Sequence, residues 1–217
     1  MTPFTIIFFI FVLTFIVAFV QVGLLTVAFG KLGLSQESAF LLLFSSLMGS
    51  MINLPLFRMR SNPPSRPENY PIRPRWLYPN FEHNGRTLVA VNVGGGVIPV
   101  LFSIYLIKNN PVSLLEVLLG IAGVGTVSYL FSRPIPGLGI GMPILIAPLA
   151  AALVALALDP VQSAPLAYVS GTLGVLIGAD LMRFPDIRRL GAPLASIGGA
   201  GTFDGIFITG IVAVLLA

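Results

Sequence analysis

Two aspartates are the residues here whose type and surroundings could do chemistry. Of eight acidic residues, only Asp180, in Leu176-Ile177-Gly178-Ala179-Asp180-Leu181, and Asp204, in Gly201-Thr202-Phe203-Asp204-Gly205-Ile206-Phe207, fall within apolar stretches. A carboxyl group in hydrocarbon is costly, and functional use is the default reading. Two aspartates sharing one proton can activate a water between them: the ionised one takes the water's proton and the protonated one donates to a substrate carbonyl. Like charges ~3 Å apart cannot both ionise, which keeps such a pair mixed near neutral pH. Asp204 alone could instead bind and release a proton or cation at a broken helix. Each acid also has a structural reading. Asp180 lies three residues from Arg183 and could form an interfacial ion pair. Asp204 could be a buried carboxyl hydrogen-bonded to a neighbouring helix.

The remaining inventory narrows the chemistry. The chain has no cysteine and a single histidine, His83, which excludes disulfides, thiolate metal sites and a Cys nucleophile and argues against a Ser-His-Asp triad. No metal and no cofactor are expected. The net charge of +4 comes from basic residues between apolar blocks, which is an orientation signal and not a nucleic-acid surface.

The elements that must carry the acids are helices in a bilayer. Hydrophobic residues make up 56% of the chain and charged ones 9%, against ~25% charged in soluble domains. Crossing a ~30 Å hydrocarbon core takes about 20 mostly apolar residues. The apolar runs are continuous rather than alternating, which favours a helical bundle over a barrel. The expectation is an all-α polytopic bundle of about seven transmembrane helices forming one integral membrane domain over 1–217. The spans fall near 4–29, 38–57, 87–107, 112–131, 141–158, 162–182 and 193–217. The first lacks a positively charged start and is too long for a signal peptide.

All ten arginines lie in three connections, 58–86, 132–139 and 183–189; the opposite loops hold only Lys31 and Lys108. Positive residues stay on the cytoplasmic side. That places the N-terminus inside, the C-terminus outside and the chain in the cell membrane, with the bilayer as its partner. The Pro/Arg-rich loop 58–86 acts as an orientation determinant or lies along the anionic leaflet.

Depth then decides whether the acids can meet. At ~1.5 Å per residue, Asp180 lies about 3 to 6 Å from its helix end, and Asp204 about 15 Å deep if the last helix is regular from Leu194. An unwound 191–201 would bring Asp204 toward Asp180, and the glycines there permit it. Asn53, Asn92, Gly94, Gly95, Gly96, Tyr129, Gly199, Gly201 and Thr202 fall at the same cytoplasmic end. Together they predict one cavity lined by these residues. Taken singly, Asn92 suits a helix–helix hydrogen bond and the glycine triplet close packing.

Gly199-Ala200-Gly201-Thr202-Phe203-Asp204-Gly205 resembles a loosened Gly-x-Gly-Asp motif of the intramembrane aspartyl proteases, the presenilin, signal-peptide-peptidase and prepilin-peptidase group. Two residues separate the second glycine from Asp204, and Asp180 lacks the usual preceding tyrosine. The likeness covers about 30 residues and implies Asp180 and Asp204 as the catalytic pair, acting on a membrane-embedded peptide. Over nearly its whole length the chain resembles a family of prokaryotic multi-pass membrane proteins without assigned activity. That resemblance rests on Val93-Gly94-Gly95-Gly96-Val97-Ile98-Pro99, Arg133-Pro134-Ile135-Pro136-Gly137, Gly178-Ala179-Asp180 and Gly201-Thr202-Phe203-Asp204-Gly205-Ile206-Phe207, and it implies architecture only. An aspartyl-type hydrolase therefore ranks first, an ion- or proton-coupled small-molecule transporter second and a non-catalytic scaffold third.

Overall fold

Small residues let one apolar helix sit at the centre of several others, and the fold is built around it. A computed structural model describes residues 14, 21–62, 85–135, 139–190, 194–199 and 205–217. The described helices are α1 (Gln21–Lys31), α2 (Gln36–Ser50), α3 (Val93–Asn109), α4 (Leu114–Phe131), α5 (Ile146–Leu158), α6 (Ser163–Val175), α7 (Ile187–Leu190) and α8 (Gly205–Leu216). The first turn of α3, Val93–Val97, is π-helical, and α6 continues as a π turn over Leu176–Leu181.

α6 is the hub. Leu166 to Thr172 are all buried. Gly120 of α4 packs on Ser170 and Gly125 on Gly174, so α4 runs parallel to α6. Ala151 of α5 and Ala213 of α8 both meet Gly171, while Tyr168 and Thr172 meet Gly210. Near the other end of α6, Ala147, Val175, Ala179 and Ile206 form one apolar cluster. α5 and α8 therefore run antiparallel to α6. Phe102 of α3 stands edge-on to Tyr168, ring centroids 4.9 Å apart. Small residues at the contacts allow backbones to approach where no hydrophobic effect drives association. α4 and α6 come closest at Gly178, where any Cβ would collide with the Gly125 carbonyl.

The all-α expectation is corrected by a small mixed sheet. β1 (Asn53–Arg60) pairs antiparallel with β2 (Arg86–Asn92), and β2 pairs parallel with β5 (Leu194–Ile197). A bulge interrupts the β1–β2 register between Pro55 and Phe57, where proline's missing N–H is tolerated. β3 (Arg133–Ile135) and β4 (Gly139–Gly141) form a separate two-stranded pair. Three expected spans are shortened by these strands. The second ends as helix at Ser50, the third begins as strand as far as Asn92, and the last is not helical over Leu194–Ile197. The ends of the expected 58–86 loop are likewise paired strands.

Seven transmembrane helices are thus not what the described residues form. Leu114–Phe131 and the stretch Ser163–Asp186 are long and apolar enough to cross a membrane; α1 and α2, bent by 111° at their junction, would make a third if taken as one span. The 24 residues of Ser163–Asp186 extend ~36 Å, beyond a ~30 Å hydrocarbon core. The fold is mostly helical, and these candidate spans point to a membrane protein in contact with the bilayer.

The two ends of this long helix differ. At its start, Ser163 Oγ donates to the Ala217 carbonyl at 3.1 Å. Lys31 Nζ donates to the carbonyls of Val214 and Leu215 at 3.3 and 3.4 Å, where a cation complements a helix C-terminus. At the other end lie the sheet and every described arginine before Arg189: Arg58 and Arg60 on β1, Arg86 on β2, Arg133 on β3, then Arg183 and Arg188. Open strand edges are not tolerated against lipid tails, which accounts for the sheet's place at the bundle's mouth.

Candidate functional site

β2 and β5 run side by side in parallel, β2 leading directly into α3 and β5 lying just ahead of α8. β2 turns at Asn92, whose Oδ1 accepts from the Gly95 N–H at 2.9 Å and caps the π turn. Asn92 Nδ2 donates to the Ser50 carbonyl at 2.7 Å and to Asn53 Oδ1 at 3.2 Å. Ser196 Oγ of β5 donates to the same Asn53 oxygen at 2.5 Å. A side-chain network therefore ties α2, β1, β2 and β5 together at one level.

The glycine triplet serves two close approaches. Gly94 faces α2: its Cβ would overlap the Ser46 carbonyl and the Ser50 amide, and Ser46 Oγ donates to the Gly94 carbonyl at 2.7 Å. Gly96 faces Gly198, which turns the chain out of β5 with φ +71°. Only glycine takes that conformation freely.

Asp180 joins this crossing from α6. The Gly198 N–H donates to Asp180 Oδ2 at 2.9 Å. Asp180 is half-buried and sits within the π turn that ends α6. Its expected ionic partner is engaged elsewhere: Arg183 pairs with Asp186 at 3.3 Å. The Arg183 guanidinium also stacks 4.2 Å above the Tyr129 ring. It donates to the carbonyls of Tyr129 and Ser132 at 2.8 and 2.9 Å and to Ser132 Oγ at 3.2 Å.

Asn53, Asn92, Gly94, Gly95, Gly96, Gly199 and Asp180 are thus brought to one crossing, with Gly199 against Ser196 and Asn92. Tyr129 is not; it belongs to the Arg183 cluster, because the α4 C-terminus presents carbonyls that an arginine can cap. Gly201, Thr202 and Asp204 lie outside the described residues. Four participants were not expected to line the cavity: Ser46, Ser50, Ser196 and Gly198. The Ser196-Ile197-Gly198-Gly199 stretch did carry a signal, an apolar segment ending in paired glycines, which suits a strand and turn as well as a loosened helix.

Among the described residues no group of three or more His, Cys, Asp or Glu converges as a metal site would. The open groove at this end is lined by Met59–Asn62, Gly85, Phe184, Pro185 and Arg188, and is separate from the crossing.

No curated protein and no solved structure matches the chain, so the likeness to the intramembrane aspartyl proteases rests on the quoted residues alone. Residues 47–216 match a family described as "Protein of unknown function (DUF1614)". That match takes in every described strand, helices α3 to α8 and all the candidate residues, and the chain belongs to the DUF1614 family.

Proposed function

We propose that this protein is a membrane-embedded hydrolase of the aspartyl type, with Asp180 and Asp204 as its acid pair at the cytoplasmic mouth of the bundle. The observation that carries the reading is the hydrogen bond from the Gly198 N–H to Asp180 Oδ2. It fastens one acid to the segment that leads, six residues later, to the other. Chain reach supports the pairing. Ile206 shares an apolar cluster with Ala179, the neighbour of Asp180, and two residues span at most ~7 Å. The expected unwinding before Asp204 also has support, since β5 and Gly198 replace a regular helix. The cytoplasmic assignment comes from the arginines gathered at this end and Lys31 at the other. The chemistry needs only two carboxyls and a water.

The test uses full-length protein in liposomes with a hydroxyethylene peptide carrying a photo-crosslinker, a mimic of the tetrahedral intermediate. Wild type should be labelled, and Asp180→Asn and Asp204→Asn should each lower labelling at least tenfold. Undiminished labelling of either variant would overturn the reading.

One observation favours a second reading, an ion-coupled carrier. As described, α3 and α8 each fall short of the ~20 residues that a span needs, and non-helical chain precedes each of them at this end of the bundle, as unwound segments do at the half-helices of transporter sites. A carrier would show gradient-dependent flux that survives Asp180→Asn but not Asp204→Asn.

A further inference from the structure

We propose that the groove beside the sheet, on the arginine-bearing end, is a binding site for the phosphate headgroup of an anionic phospholipid. The groove has a volume of about 960 Å³ and is open on one side, within the range of small-ligand sites. One wall is the end of β1 with Met59, Arg60 and Ser61; the other is Phe184, Pro185 and Arg188. Two contacts hold the walls together: the Asn62 N–H donates to the Arg188 carbonyl at 2.8 Å, and the Phe57 and Phe184 rings stand 5.8 Å apart. The Ser61 N–H donates to the Gly85 carbonyl at 3.1 Å and fixes the first wall to the start of β2. The groove is therefore a built feature of the fold.

Its chemistry is amphiphilic. Arg60 and Arg188 are exposed, and neither has an acidic partner among the described residues. Arg183, by contrast, is paired with Asp186. Guanidinium groups match phosphate oxygens in charge and in bidentate geometry. Met59, Phe184 and Pro185 give the apolar wall that a glycerol and the first acyl carbons would lie against. Depth favours a lipid over a free phosphate ester. The Ser163–Asp186 stretch exceeds the hydrocarbon thickness by only ~6 Å, so residues 184–188, at and just past its end, fall at headgroup level. Basic pockets at that level bind anionic headgroups.

Native mass spectrometry of the full chain, released from nanodiscs of mixed phosphatidylglycerol and phosphatidylcholine, tests this. Wild type should retain phosphatidylglycerol preferentially. Arg60→Gln and Arg188→Gln should each lower that preference about fivefold, and Arg133→Gln, outside the groove, less than twofold. Arg60→Lys should keep part of the preference, which separates loss of charge from misfolding. An equal loss with Arg133→Gln would mean general surface charge and would overturn the site. Displacement of the lipid by millimolar glycerol 3-phosphate would assign the groove to a soluble phosphate ester and overturn the lipid.

Discussion

Gly198 crosses Gly96 so closely that a Cβ on Gly198 would stand 2.7 Å from both the amide nitrogen and the Cα of Gly96. Neither atom can move without shifting the start of α3. The φ of +71° adds a second penalty for any side chain, about 1–2 kcal/mol. Gly198→Ala should therefore lower the melting temperature of the detergent-solubilised protein strongly. Gly123→Ala is the control, because its Cβ would meet only Val154 methyls at 3.6 and 3.7 Å, an ordinary contact. A small shift for Gly198→Ala would mean that the crossing is looser than described.

Asp180 separates structural from chemical loss through the choice of substitution. Asn keeps an oxygen that can accept from the Gly198 N–H; Ala leaves that donor without it, at a cost of about 1–3 kcal/mol. Hydrogen exchange at the Gly198 amide should quicken at least fivefold in Asp180→Ala and change little in Asp180→Asn. Labelling by the hydroxyethylene probe should fall in both. Retained labelling in Asp180→Asn would remove the carboxyl from the chemistry and leave it as a strand anchor.

The hydropathy of the chain conveyed the bilayer and the long helices but could not distinguish strand from helix at the ends of apolar runs. Thr87-Leu88-Val89-Ala90-Val91 is rich in β-branched residues, which fit a pleated surface, yet equally apolar as the start of a span. Pro55 and the alternating Leu54 and Leu56 carried the edge strand's signal at the end of an apolar block that continues α2. The convergence of Asn53, Asn92 and the glycine triplet was legible because all lie near loops rich in arginine. Tyr129 shared that depth and still fell elsewhere, since depth fixes one coordinate and the azimuth around α4 fixes the other. Gly198 was hidden among six glycines between 191 and 210, and only its backbone geometry singles it out.

Arg183 holds the ends of α4 and α6 together by stacking on Tyr129 and capping carbonyls with a planar fork. An ammonium cannot reproduce both at once. Arg183→Lys should behave almost like Arg183→Gln, each destabilising by about 1–3 kcal/mol, measured by thermal unfolding in detergent. Full retention of stability by the lysine variant would mean that charge alone matters at this position.

Topology is open to a clean test because the chain has no cysteine. With the arginine-bearing end inside, Asn62→Cys should react with a membrane-impermeant maleimide only after permeabilisation, and Asn110→Cys in intact cells. Asp159→Cys is the more demanding probe. α5 has 13 residues, ~20 Å of helix, too short to cross alone. Yet α5 runs antiparallel to α6, and only four residues link Leu158 to Ser163, where the long helix begins. If α6 crosses, Asp159 must emerge on the face opposite the sheet, with Met142 to Leu145 adding non-helical length at the sheet end of the passage. Asp159→Cys should then react in intact cells. Protection there would make α5 a re-entrant segment and would require a different path from β4 into the long helix.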